Sequence, residues 1–186
     1  MSPTSFKVSF NLDEQDVSYF RKLFRAAKRS SKASKPDEII EAARSLVSSV
    51  RRTKKTPKFV LTAVESIEDL VEIILDEDYR APKRVVDEVL AALAYFANPD
   101  DLIPDEIPVL GFLDDAIMIK FVEREFRHEL AAYRRFRKFR RGAEQRPWTQ
   151  VASDRLPGRL EAQRKKLRAE VDRRRVADEE KGIIGF

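Results

Sequence analysis

Residues 56–76, TPKFVLTAVESIEDLVEIILD, decide the fold. Val60, Ala63, Val64, Ile67, Leu70, Val71 and Ile74 recur at intervals of three and four, which lines up apolar side chains on one stripe of an α-helix rather than on one face of a strand. Thr56 followed by Pro57 marks the start, because a proline at the first helical position gives up an N–H that has no partner within the helix. The same spacing appears on both sides of this segment. Ile39, Ile40, Ala43, Leu46, Val47 and Val50 form the stripe of a helix that Ser34 and Asp37 would open as a capping box. Val85, Val86, Val89, Leu90, Leu93 and Phe96 predict a helix over 81–97, and Val17, Phe20, Phe24 and Ala27 predict one over 13–29, with acids in its first turn and bases in its last. One long helix is predicted over 113–141, turning Ile117, Met118, Phe121, Val122, Phe126, Leu130 and Tyr133 inward.

The bulk composition agrees with a folded domain. The chain has 186 residues, 42% of them hydrophobic and 37% charged, so there is apolar material for a core beneath an unusually charged surface. With no cysteine, disulfides, thiolate zinc sites and thiol nucleophiles are excluded, and the pattern fits a reducing compartment. The first residues lack a basic region followed by an apolar stretch, and no run approaches the ~18 apolar residues of a bilayer span. The expected location is the cytoplasm, or the periphery of the inner membrane. The formal net charge of +5 is unevenly spread, since 98–129 is rich in acids and 134–175 carries most of the arginine.

Alternation of Phe6, Val8, Phe10 and Leu12 with polar residues predicts a short β-strand over 5–12. No later segment offers it a clear partner, so it would pair with its own copy in a homodimer or lie along helices. Glycine and proline interrupt the helical pattern over 142–158, after which 159–181 reads as a helix whose apolar positions shrink to Leu160, Leu167 and Val171. The final GIIGF, 182–186, suits either a docking tail or a disordered end. The fold class is therefore an all-α small bundle of about five core helices, with an N-terminal strand and a charged C-terminal helix. Three regions follow: a strand and helix over 1–35, a helical core over 36–141, and a basic extension over 142–186.

Between the two central helical patterns lies NPDDLIPDEIPVLGFLDDA, 98–116, with six carboxylates and three prolines. Three uses of these acids compete. In the first they cap helices: Pro99 ends one helix, Asp101 stands where an N-cap accepts backbone N–H bonds, and Gly111 begins the next helix with Asp114 as the capping-box acid. In the second, Asp101, Asp105, Asp114 and Asp115 gather as hard oxygen ligands for magnesium, calcium or manganese, although their spacing is not that of the twelve-residue calcium loop. In the third, two of them do acid–base chemistry from unlike environments. Capping ranks first, and no cofactor is required by it. A zinc site or a Ser-His-Asp set is disfavoured by the single histidine, His128.

The run ALAYFANPDDLIPDEIPVLGFLDDA, within 85–125, resembles the signature of the small bacterial YkvA-like family, the domain of unknown function 1232. Tyr95, Pro99, Pro104, Pro108 and Gly111 carry the pattern together with the aspartates. The resemblance implies a helical domain in which two helices meet at an acidic, proline-marked elbow, and it implies no reaction. Some relatives look membrane-associated, with more apolar helices around the motif. Here Glu88, Asp100, Glu106 and Lys120 interrupt the apolar run, so no insertion across a bilayer is expected.

A basic run follows. In YRRFRKFRR, 133–141, the aromatics Tyr133, Phe136 and Phe139 stand three apart, while Arg134, Arg135, Arg137, Lys138, Arg140 and Arg141 cover the remaining surface as candidate anion-binding residues. The uses open to such a face are anionic lipid, nucleic-acid phosphates and an acidic protein, beside a plain solvated surface. Trp148 would sit at headgroup level in the first case. The reading that results is a non-enzymatic binding or regulatory module acting at an anionic membrane surface or on a protein partner. A nucleic-acid-binding accessory protein is the alternative, followed by a divalent-metal-dependent enzyme using the aspartates.

Overall fold

The computed structural model describes residues 13–30, 34–54, 56–97, 112–144 and 150–181. Among them the regular structure is all helical, without a strand: α1 (Glu14–Ser30), α2 (Pro36–Arg52), α3 (Lys58–Leu75), α4 (Lys83–Leu93) running into a 3-10 turn (Ala94–Ala97), α5 (Leu113–Glu125), α6 (Arg127–Glu144) and α7 (Gln150–Glu180). The expected strand over 5–12 with the homodimer built on it, the elbow over 98–111, Trp148 and the GIIGF tail lie outside the described residues.

α3 is the centre of the bundle. It packs against α2, α4, α5 and α6, and its buried set widens from the expected stripe to include Ser66, Asp69 and Ile73, with Ile74 half-buried. A helix enclosed on so many sides needs apolar residues over more of its circumference than a surface helix does. The stripes of α2 and α4 also turn inward, with Ile39, Ala43, Val50, Val85, Val89 and Leu93 buried. α1 is attached more lightly, through buried Phe24 and through Phe20, whose ring stacks on Phe121 with centroids 5.6 Å apart.

Four local expectations are corrected. The N-cap of α2 is Lys35, whose backbone N–H donates to the Glu38 carboxylate at 3.3 Å with no side-chain cap in return, and not Ser34 with Asp37. Pro36 explains the shift of one residue: it takes the first helical position and makes its predecessor the cap. α3 begins at Lys58 with Pro57 as its N-cap, while the Thr56 hydroxyl donates back to Val50 O and Thr53 O at 3.0 and 2.8 Å, tying the turn to the end of α2. α7 starts at Gln150 and carries Pro157 within it, so the proline there does not delay the helix.

The fourth correction is the long helix over 113–141, which is broken at Phe126 (φ −97°, ψ 16°) into α5 and α6. The break lets the two halves diverge: α5 packs on α3 and buries Met118, Ile119 and Val122, whereas α6 shares α3 as a neighbour but sets Tyr133 and Phe136 against Tyr79 of the α3–α4 turn and packs along α7. Phe126 itself is buried at the corner.

α7 runs antiparallel to α6, as the pairs Arg127–Asp178 and Arg135–Glu170 require. Its apolar anchors are few, yet Leu160, Leu167 and Val171 are all buried. Leu167→Ala is therefore expected to cost about 2–5 kcal/mol. Val176→Ala, at a position 52% exposed on the same helix, should change stability by less than about 0.5 kcal/mol. Urea unfolding of the two variants beside the parent measures the difference.

Candidate functional site

The basic run of α6 folds as its spacing demands. Tyr133 and Phe136 are fully buried and Phe139 half-buried, which leaves the intervening cations on the flanks of the helix. Residues four apart on a helix meet, so the Arg137 guanidinium lies 5.7 Å from the Tyr133 ring centre and that of Arg140 lies 5.6 Å from Phe136.

Most of these cations are already engaged. Arg134 donates from Nε to Asp69 Oδ2 at 2.6 Å and from Nη2 to Ser66 Oγ at 3.1 Å, and Arg137 donates to the other oxygen of Asp69 at 2.5 Å. Arg140 donates to Asp76 Oδ1 at 2.8 Å and Asp78 Oδ2 at 3.1 Å. Arg135 reaches across to Glu170 of α7 at 2.7 Å. The arginines thus form a ladder between the acids of α3, the α3–α4 turn and α7. Of the six candidate anion-binding residues, Lys138 and Arg141 have no carboxylate partner among the described residues.

Two acids of the ladder are set deep. Asp76 ends α3 and accepts from the backbone N–H groups of Asp78 and Tyr79, from the Tyr133 hydroxyl and from Arg140. Burial opposes its ionisation, but the Arg140 bond and charge together with the other donors outweigh that and hold the Asp76 carboxyl below its usual range. Glu129 is 1% exposed and both of its oxygens are bonded at 2.7 Å, one by the Tyr79 hydroxyl and one by Arg168 of α7. The Arg168 plane also stacks over the Tyr79 ring. With both oxygens occupied and no solvent contact, Glu129 is arranged to hold helices rather than to exchange a proton with a ligand.

An open groove of about 610 Å³ lies where α2, α3 and α6 meet, lined by Arg51, Glu65, Glu68, Lys138 and Arg141 among others. It continues through Arg51 and Arg137 into a second recess of about 510 Å³ bordered by Arg44, Ser48, Glu72 and Tyr133. Arg51 is paired with Glu68 at 2.6 Å, with both side chains substantially exposed.

The acidic candidates are divided. Asp101 and Asp105, with Pro99, Pro104, Pro108 and Gly111, lie outside the described residues. Asp114 and Asp115 are buried in the first turn of α5, at the positive end of its dipole. The N-cap of α5 is Phe112 in the left-handed conformation (φ 63°, ψ 12°), one residue beyond the expected Gly111, so Asp115 rather than Asp114 occupies the third helical position. Among the described residues no three His, Cys, Asp or Glu side chains are gathered as a metal site would need. Tyr95 meets Phe96 edge to face, 5.2 Å between centroids, at the end of the 3-10 turn. His128 contacts Asp178 of α7 at 2.5 Å through Nε2.

Asp69, Asp76, Tyr79 and Glu129 are marked by no motif or charge run, and Arg168 only as one of the basic residues of 134–175. A signal existed for two of them. Glu129 falls at the inward spacing of Phe126, Leu130 and Tyr133, and Asp69 adjoins the stripe of α3. An acid in an apolar register demands a buried partner.

Residues 88–121 match the family described as Protein of unknown function (DUF1232). That segment runs from α4 through the elbow into α5, so apart from Glu88, which pairs with Arg175 of α7, the ladder lies beyond it. No curated protein and no solved structure matches the chain.

Burial, reinforced by the negative charge of Glu129, raises the Tyr79 hydroxyl well above its ordinary value, and burial with Asp76 does the same to Tyr133. Above a pH of about 10 the unfolded chain therefore releases these phenolic protons while the folded chain keeps them, and stability falls. The expected slope is about 1.4 kcal/mol per pH unit for each such tyrosine. Tyr79→Phe should lower stability at neutral pH and make the alkaline decline shallower, as followed by urea unfolding between pH 9 and 11.

Proposed function

We propose that the protein is a non-enzymatic binding or regulatory module that associates with an anionic membrane surface. The observation that carries this reading is the uneven pairing of its cations. The arginines of α6 are largely occupied by carboxylates, as are Arg168, Arg174 and Arg175 of α7, and α6 by itself offers two free phosphate contacts, Lys138 and Arg141, rather than six. Unpaired positive charge collects instead on α2 and the start of α3. Between Glu41 and Glu65 the sequence has six basic residues and no acid, in a chain where 37% of residues are charged. Arg44, Arg52, Lys54 and Lys58 have no acidic partner among the described residues.

A concentration of one sign is what attracts a polybasic surface to anionic lipid, each basic side chain near the bilayer contributing about 1 kcal/mol. No helix among the described residues is long and apolar enough to cross a membrane, so the association proposed is with the surface. Salt weakens it, because the Debye length shrinks from about 10 Å at 0.1 M to roughly half that at 0.5 M.

Flotation with vesicles tests the reading. The protein should rise with vesicles of equal phosphatidylglycerol and phosphatidylcholine in 0.1 M salt, remain below with phosphatidylcholine alone, and be released from the anionic vesicles by 0.5 M salt. Equal flotation with both lipids, or none with either, rejects it.

A further inference from the structure

The turn between α2 and α3 combines three properties that are not found together elsewhere among the described residues. Cations are exposed there without partners: Arg52 in the last turn of α2, Lys54 in the connection, and Lys58 at the first position of α3. Two large apolar side chains are exposed beside them, Phe59 at 49% and Leu61 at 37%, although the residue between, Val60, is fully buried. The start of α3 is also bare. Pro57 provides no side-chain cap, the first turn has no acid, and the nearest acid in sequence is Glu65, about two turns into the helix.

Helical geometry decides how these groups are presented. Successive residues are rotated by about 100°, so with Val60 directed to the core, Phe59 and Leu61 project to its two sides and Lys58 points away from it. The end of α3 therefore offers an apolar side chain on each flank of a lysine. The amides of Lys58 and Phe59, the first two of the helix, have no side-chain cap and add the positive end of the helix dipole to the same place.

A phosphate-lined polymer such as duplex DNA would use the cations and the dipole but leave Phe59 and Leu61 in water. A bilayer surface uses all of them, because side chains of this size bury at the boundary of headgroups and acyl chains while the lysines stay among the phosphates. We infer that the α2–α3 turn is the lipid-contacting site, with Phe59 and Leu61 entering the interface of an anionic bilayer and Arg52, Lys54 and Lys58 meeting its headgroups. The inference rests on the anionic-surface reading and adds to it a place and a mode of contact.

The test uses the full chain and the same phosphatidylglycerol–phosphatidylcholine vesicles, with three variants whose helix content is checked by circular dichroism. Lys54→Glu with Lys58→Glu should lower the partition coefficient at least thirtyfold, roughly what the loss of two lysines implies. Phe59→Ser, which leaves the charge unaltered, should lower it about tenfold. Lys166→Glu with Arg173→Glu, an equal change of charge on the exposed side of α7, should keep it within about threefold of the parent. If the parent floats and the two lysine reversals leave it floating equally well, the contact lies elsewhere and the inference is wrong. If the α7 reversals act as strongly as those at the turn and Phe59→Ser has no effect, net charge alone drives binding, and the inserted site is refuted. A parent that fails to float removes the anionic-surface reading and this inference together. Retention of duplex DNA by the parent, lost on reversing the lysines but not with Phe59→Ser, would assign the turn to nucleic acid instead.

Discussion

A carboxylate sealed from water is tolerable only when its oxygens are bonded, and Glu129 is the point at which this requirement organises the molecule. It is placed at an inward position of α6, one of its oxygens is bonded by Tyr79 from the α3–α4 turn, and the other by Arg168 from α7. Three segments far apart in sequence are thereby fixed to one another. Burial alone would make the Arg168 guanidinium easier to deprotonate, but the bond to Glu129 and its charge more than compensate and hold the guanidinium protonated. A buried pair of this kind is poor in net stabilising energy and strong in selectivity, because any arrangement that separates its members leaves a charge without water or partner.

The consequence reaches α7. A helix whose described side chains include three buried large apolar ones, Leu160, Leu167 and Val171, has little hydrophobic reason to stay attached, yet it is joined to α6 at Glu170 and Asp178, to α4 at Glu88, and to the core at Glu129. Exposed ion pairs contribute little one at a time. Here they follow the register set by the buried one, so Glu129 and the outer pairs define alignment while Leu160, Leu167 and Val171 supply most of the attachment. The same pairing has a functional side. Arginines of α6 that appear in sequence as an available anionic-partner surface are mostly committed to holding the bundle, and among the described residues Arg52, Lys54 and Lys58 at the α2–α3 turn and Lys138 and Arg141 at the far end of α6 stay without a carboxylate.

Much of the fold was legible because repeated apolar spacing is a local property. The stripes of α2, α3 and α4 are set by residues three and four apart and face the core, with Leu46, Val86, Leu90 and Phe96 half-buried at their edges and Ile73 rather than Ile74 fully buried in α3. Helix starts were misplaced by a residue where proline competes with a nearby hydroxyl or acid for the capping position, as at Pro36 and Pro57. The division of α5 from α6 was not legible. Apolar periodicity continues through Phe126, and what breaks it is the presence of different neighbours on either side, which is information from the tertiary structure. The arginine run shows the same limit: its sequence gives the cations and their face, whereas their acids come from positions 69, 76, 78 and 170. The aspartates of the elbow were conspicuous in sequence, and of the four named as ligands Asp114 and Asp115 are described, both buried at the start of α5.

The most direct test of the central interaction is a double-mutant cycle on Glu129 and Arg168, read by urea unfolding at neutral pH. Arg168→Met leaves Glu129 buried without its cation and should cost about 3–5 kcal/mol, and Glu129→Leu, which strands Arg168 and the Tyr79 hydroxyl, a similar amount. The double variant should be more stable than the sum of the two losses predicts, with a coupling of roughly 1–3 kcal/mol. Single losses below about 0.5 kcal/mol that simply add would contradict the account, since Glu129 and Arg168 would then not be what binds α7 to the core.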